Sequence, residues 1–469
     1  MSSPTRSIGL IGVGPHARRT YLPWIAEWVR EGRLRLSCVV DLEEQRAPVA
    51  AALAELGLAP DALLFARERA APRGLDGAVE AGLARLRAEG KLDALVVATD
   101  PIAHKGYATW ALRHDLDVLL DKPISAPVGA ASKAEVAAAL RADYAELRAL
   151  EAASQGRCAV QCQRRAHLGY RWIRDYLAEF VRRWQVPITY LDLYHADGMW
   201  VMPGEWDRDH HAYKHGTGKL LHSGYHFVDL ASWLLALNPP LHDEALDLTV
   251  RSYQPADFLR LFAGRYTDLF GRPGLQRREP ESVRSYGEMD LYLLGQLRAR
   301  GHVRTTLALT LQQCSFSRRS WPSPSPDPYK GAGRVRHERL NLQVGTLLNV
   351  QVHSYQSHEL RDPAPQEEYG PGHLDHFDVL VFRNCDLVGG PRLEQRAIGR
   401  EASAAERGHN EDARRRLLEA FLRGEDTGSS LASHARTSAL LAAIYDGLDP
   451  AGPASLALPW GGLEGGPLA

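Results

Sequence analysis

The sequence has little cysteine, almost no net charge and no long apolar run. Five cysteines occur in 469 residues (Cys38, Cys158, Cys162, Cys314 and Cys385). The number is odd and most stand inside apolar runs, so they read as reduced thiols of a cytoplasmic protein rather than a disulfide framework. No second ligand pair accompanies Cys158 and Cys162, and zinc is not expected there. The formal net charge is −1. No basic block supports a nucleic-acid or anionic-membrane surface. No apolar run approaches the roughly 20 residues that span a bilayer, and the first apolar stretch is a glycine-punctuated strand rather than a signal peptide. No internal repeat is visible. A chain of this length, 45% hydrophobic and 24% charged, is expected to be a soluble globular protein with two domains.

What is present begins at residue 8. Ile8-Gly-Leu-Ile11 runs into Gly12-x-Gly14-x-x-Ala17, and a helical pattern follows through Trp24 and Trp28. This reads as strand, tight turn, helix. Gly12 permits the turn, Gly14 lets a pyrophosphate approach the backbone, and Ala17 lets the helix pack closely on the strand. The second half of that fingerprint is an acid about 20 residues on, at the end of the next strand. Leu34–Val40 is such a strand and Asp41 ends it. Its carboxylate suits ribose hydroxyls and repels a 2′-phosphate, so NAD is expected over NADP.

Strand and helix then alternate. The pattern predicts a helix over 43–58, a strand over 62–65, a helix over 75–89 and a nearly continuous apolar strand over 92–98. Thr99-Asp100-Pro101 starts a helix carrying His104, and a strand over 116–120 ends in Asp121-Lys122-Pro123. A long helix (132–153), a sixth strand (158–162) and an arginine-rich helix (164–180) follow. Five alternations are the signature of a doubly wound parallel sheet, whose ligands lie beyond the carboxyl ends of its strands. Gly12, Gly14, Asp41, Thr99, Asp100, Asp121 and Lys122 all stand at such ends. With Pro15, His16, Ala17 and His104 from the same segments, they are the cofactor-binding candidates.

Beyond residue 186 the period changes to two. The runs 188–194, 303–311, 340–355, 377–382 and 392–397 read as strands of a largely antiparallel sheet. The expected division is 1–163 for a dinucleotide-binding domain and 164–448 for an α/β substrate and oligomerisation domain. Insertions are expected at about 239–290 and 320–334, the second proline-rich and extended. Final helices are expected over 411–422 and 431–446, before a loosely ordered Gly/Pro tail over 449–469. An open sheet face carrying alternate apolar residues implies a homodimer or homotetramer.

Four segments in order carry a family resemblance: Gly12-Val-Gly-Pro-His-Ala17, Ala98-Thr-Asp-Pro-Ile-Ala-His104, Asp121-Lys-Pro123, and Gly216-Thr-Gly-Lys-Leu-Leu-His-Ser-Gly-Tyr-His-Phe-Val-Asp229. Together they resemble the glucose–fructose oxidoreductase / inositol dehydrogenase (Gfo/Idh/MocA) family of nicotinamide-dependent enzymes. The resemblance implies a Rossmann domain followed by an α/β domain with an open, mainly antiparallel sheet. It also implies hydride transfer between nicotinamide and a carbinol carbon of a sugar, cyclitol or similar polyol. Lys122 and His226 match the family's lysine and histidine. A neutral histidine suits removal of the hydroxyl proton, and a lysine beside it stabilises the developing alkoxide.

The chain departs from the family pattern at His222, where an acid is usual, at Asp121 for glutamate, and at Ile102 or Ala103 for an asparagine. His222 and His226, four apart, share a helical face. Such a pair also suits zinc, but no third acidic or thiol ligand stands nearby and no metal is expected. The stretch 194–215 is rich in Trp and His. It reads either as a self-packed loop or as a substrate wall using Trp200, Trp206 and Tyr213. Arg164 and Arg165, which follow the sixth strand, read equally as pocket-lining substrate candidates, Arg165 foremost, or as solvated arginines at a helix start. Two alternatives to a dehydrogenase stay open: a redox-neutral glycosidase or lyase using NAD transiently, and a cofactor-binding protein with impaired chemistry.

Overall fold

The structure is a computed structural model that describes residues 6–67, 74–128, 132–198, 206, 213–216, 218–241, 243–261, 264–265, 268, 278–316, 335–357, 376–398, 409–449, 455–461 and 463. Six strands, β1 (Arg6–Ile11), β2 (Leu34–Leu42), β3 (Ala62–Ala66), β4 (Ala94–Val97), β5 (Asp117–Asp121) and β6 (Cys158–Gln161), form an all-parallel sheet in the order β3-β2-β1-β4-β5-β6. The near-continuous burial of β1, β4 and β6 follows from helices covering both faces. Those helices are α1 (Pro15–Thr20), α2 (Leu22–Arg30), α3 (Arg46–Glu55), α4 (Gly77–Ala88), α5 (Pro101–Arg113) and α6 (Lys133–Ala153). Ser132 caps α6, its hydroxyl accepting from the Glu135 amide at 3.2 Å. The strand order reverses between β1 and β4, which opens a crevice at the carboxyl ends.

Helix α7 (Leu168–Trp184) starts four residues later than its arginine-rich pattern suggests, because 163–166 form a 3₁₀ turn whose side chains are buried. The second sheet holds β7 (Ile188–Ala196), β8 (Ala245–Tyr253), β9 (Asp290–Ala299), β10 (His302–Gln312), β11 (Val335–Val344), β12 (Leu348–Ser357), β13 (His376–Arg383), β14 (Leu393–Ala397) and β15 (Leu456–Pro459). Its order is β14-β13-β12-β11-β7-β10-β9-β8-β15, antiparallel except between β7 and β10. Helix α8 (Tyr225–Leu235) and the helix Ala435–Leu448 are packed in its core.

Three expectations change here. The period-two run over 340–355 is two strands, β11 and β12, paired antiparallel about Gly345 at φ 52°. The segment read as irregular from 239 contains β8 and the helix Pro255–Leu261. Within the tail, the described residues 455–461 are anchored: β15 pairs with β8 from Leu456 to Pro459, and Trp460 is 1% exposed. The proline-rich stretch 320–334 lies outside the described residues.

Candidate active site

The turn after β1 is shaped by contact. Gly12 sits at φ 89°, and a Cβ there would lie 2.7 Å from the Thr99 Cα, so only glycine fits. Gly14 precedes α1 in an extended conformation, and a Cβ built on it meets nothing within 4 Å. Its backbone faces open space at a helix start, the arrangement that admits a pyrophosphate. The Asp41 carboxylate accepts from the Val13 amide at 2.8 Å and the Leu42 amide at 2.7 Å, which ties the acid to the glycine turn. Each oxygen keeps a further lone pair for a ribose hydroxyl.

These residues line one cleft of about 390 Å³. It gathers Gly12, Gly14, Pro15, His16, Asp41, Thr99, Asp100, Asp121 and Lys122 from the strand ends of the parallel sheet. From beyond the parallel sheet it gathers His195, Asp197, His222, His226, Arg336, Glu338 and Arg414. Among the cofactor candidates, two lie outside its lining. Ala17 is fully buried beneath the turn. His104 is fully buried, with Nδ1 2.7 Å from the Pro123 carbonyl and Nε2 3.2 Å from the Thr99 carbonyl. It joins two cleft loops from behind.

Lys122 and His226 both line the cleft. The Lys122 ammonium donates to the His222 carbonyl at 3.0 Å, and the peptide to Pro123 is cis. That carbonyl belongs to a π-helical turn, Leu220–Gly224, which leads into α8. Such turns recur at functional sites. His226 is 5% exposed, and its Nδ1 lies 3.4 Å from the Cys162 sulfur, so Nε2 is the ring nitrogen on the cleft side. Burial, then the Arg164, Lys122 and Arg414 charges, hold its pKa well below the ordinary histidine value. Burial likewise lowers Lys122, with Asp121 opposing. Burial pushes the Asp121 carboxyl up, but a contact to His16 Nε2 at 3.2 Å and the Lys122 charge outweigh it and keep the group ionised.

Around this pair lies a buried charged wall, of which the sequence pointed only to Arg164 and to the stretch that carries His195 and Asp197. Lys219, with no exposed surface, donates to Asp197 at 2.9 Å and stands 2.9 Å from His195 Nδ1. Ser223 also donates to Asp197. Arg164 pairs with Glu338, which accepts from the Tyr170 hydroxyl at 3.1 Å. Arg336 comes from β11, and Arg414 from the helix His409–Leu422.

The substrate candidates are placed differently. Arg165 is not in the lining: it forms a buried fork with Asp229, Nε to Oδ2 at 2.9 Å and Nη2 to Oδ1 at 2.7 Å. Its neighbour Arg164 lines the cleft instead. Trp206 and Tyr213 sit in a separate apolar cluster with Phe258, Val283 and Met289, where their faces are consumed by packing. Trp200 lies outside the described residues. The aromatic stretch does contribute to the wall, but through His195 and Asp197 at its start. Among the described residues no cluster of His, Cys, Asp or Glu could hold a metal ion. None of the described helices is long and apolar enough to cross a membrane.

Residues 6–144 match the model of the Gfo/Idh/MocA oxidoreductase family, NAD-binding Rossmann fold. The match spans the parallel sheet from β1 through β5. No curated relative matches the chain by sequence. Solved structures share its fold over nearly the whole length. The WlbA dehydrogenase from Bordetella pertussis, in complex with NADH and UDP-GlcNAcA, is 15% identical, with 97% of this chain and 98% of that chain covered and a TM-score of 0.53. A 3-ketoreductase from Actinomadura kijaniata, in complex with NADP and TDP-benzene, is 15% identical at 94% and 98% coverage, TM-score 0.52. The aldose-aldose oxidoreductase from Caulobacter crescentus, complexed with glycerol, is 14% identical at 94% and 96% coverage, TM-score 0.54.

Proposed function

We propose that this protein is an NAD(H)-dependent oxidoreductase acting on a carbinol carbon of a sugar, cyclitol or similar polyol. Residues 1–163 bind the cofactor in this reading, and 164–448 build the substrate wall. The observation that carries it is the convergence of His226 and Lys122 on the cleft that also holds Gly12, Gly14 and Asp41. The cofactor supplies a hydride acceptor or donor at its nicotinamide ring. The chain's own residues do the rest. His226, neutral and buried, takes the substrate hydroxyl proton at Nε2. Lys122, aimed by the His222 carbonyl, donates to the substrate oxygen and stabilises charge developing on it. His222 binds a neighbouring hydroxyl. Arg336 and Arg414 add two cations to the wall, which favours polyols that also carry a carboxylate.

A screen of sugars, cyclitols and their acids, followed by nicotinamide absorbance, tests the reaction. Net reduction of added NAD is the expected result, with acids giving the lower KM. Turnover that needs no added cofactor and changes no absorbance would instead identify the redox-neutral chemistry. Titration of both cofactors tests the role of Asp41: NAD is expected to bind at least tenfold tighter, about 1.4 kcal/mol, and equal affinity for NADP removes that role. The neighbours include both an NADH and an NADP complex, so the argument for NAD is the Asp41 carboxylate itself.

In this reading a second copy of this chain would cover the outer face of the nine-stranded sheet, where Tyr292 and Leu294 of β9 are 40% and 68% exposed. Sedimentation at micromolar concentration is expected to show a dimer or tetramer, and a monomer would exclude this packing.

A further inference from the structure

We propose that Cys162 is a positioning residue: it holds the His226 ring in the tautomer that can accept a proton from the cleft. The inference rests on His226 being the acid–base group, and its first readout needs no substrate. Cys162 follows β6 and is completely buried. Its sulfur lies between two groups of α8, 3.4 Å from His226 Nδ1 and 3.1 Å from Asp229 Oδ2.

The direction of each hydrogen bond follows from what the groups can donate. Asp229 has no exposed surface. Burial pushes its carboxyl up, but the Arg165 charge and His434 outweigh this and hold it well below the usual carboxylate range. It is therefore a carboxylate, which only accepts. Besides the Arg165 fork it takes the Thr437 hydroxyl at 2.8 Å, and His434 Nδ1 lies 3.0 Å away. Burial, then the Asp229 charge, raise the Cys162 thiol well above its ordinary value, so the sulfur keeps its proton. That one proton goes to Asp229. The sulfur can then only accept from His226, so Nδ1 carries the ring hydrogen and Nε2 keeps its lone pair.

The groups facing His226 are the Arg164, Lys122 and Arg414 cations and the Asp121 carboxylate, none of which is bonded to Nδ1. A thiol is a weak acceptor. It can orient the imidazole without raising its pKa as a directly bonded carboxylate would. The charge of Asp229 is meanwhile spent on Arg165, Thr437 and His434.

The test is ¹⁵N NMR of the full-length protein with labelled histidine, near neutral pH, on wild type, Cys162→Ala and Cys162→Ser. Wild type is expected to show His226 as the Nδ1–H tautomer. Cys162→Ala is expected to shift the population toward Nε2–H and to lower kcat/KM roughly 10- to 100-fold, the usual effect of losing an orienting partner. NAD affinity should stay unchanged. Cys162→Ser should restore both, because a hydroxyl can donate to Asp229 while accepting from Nδ1. A wild-type Nε2–H tautomer would overturn the proposal, as would an unchanged ring signature in Cys162→Ala. Should Cys162→Ala fail to fold, the wild-type and Cys162→Ser spectra decide. Absence of dehydrogenase activity on any polyol would defeat the functional reading and leave the tautomer result standing.

Discussion

His226→Ala is expected to lower kcat by roughly 10²–10⁴-fold, the usual cost of a lost general acid–base group, with the affinity for NAD unchanged. The separation follows from the geometry. The cofactor's phosphates and ribose are assigned to the Gly12–Gly14 turn and Asp41, whereas His226 enters from α8 on the other wall. Lys122→Met should do comparable damage, because it removes charge stabilisation at the same oxygen. The double variant should lose less than the product of the two single losses, since both act on one proton transfer. The pH profile carries the same argument. The His226 pKa is lowered, so the ring stays neutral and able to accept a proton as pH falls through about 6.5, the ordinary histidine value. The kcat/KM for polyol oxidation should therefore stay flat through that region and decline only below it. A His226→Ala enzyme with near-normal kcat, or an acid limb that His226→Ala leaves in place, would remove His226 from the reaction.

The parallel sheet was legible because each of its parts signals locally. Strands covered on both faces read as unbroken apolar runs, as 94–97 does. Their carboxyl ends must meet at one edge, so the sequence alone groups Asp41, Thr99, Asp100, Asp121 and Lys122. The second sheet was less legible, since alternation survives a tight turn: 340–355 reads as a single strand although Gly345 reverses the chain within it. The charged wall was legible only at Arg164 and in the stretch that carries His195 and Asp197. Glu338 stands beside His195 only because β11 pairs with β7 in that register, and Arg414 reaches the cleft from a helix more than 180 residues beyond His226 in the chain. Adjacent arginines also look alike in sequence. Arg164 and Arg165 differ only in which way the 3₁₀ turn points them, one to the cleft and the other to Asp229.

That difference makes Arg165 the place where stability and binding part. A substrate-binding arginine, once removed, should raise KM and leave stability within about 1 kcal/mol. The structure commits Arg165 elsewhere. Its side chain is 1% exposed and Asp229's is 0%. Beyond the fork with Asp229, it donates to the Ser433 carbonyl at 3.0 Å, the Gly428 carbonyl at 3.3 Å and the Ser433 hydroxyl. It thus ties α8 and the turn after β6 to the segment ahead of the helix Ala435–Leu448. Arg165→Met strands a buried carboxylate, and breaking such a pair from one side costs about 3–5 kcal/mol. Arg165→Lys should recover only part of this, because an ammonium cannot supply the planar two-nitrogen fork. The expected result is a large fall in the urea midpoint for Arg165→Met and a smaller fall for Arg165→Lys. Substrate KM should be close to wild type in whatever fraction remains folded. An Arg165→Met protein as stable as wild type, with a raised KM, would return this residue to the substrate site.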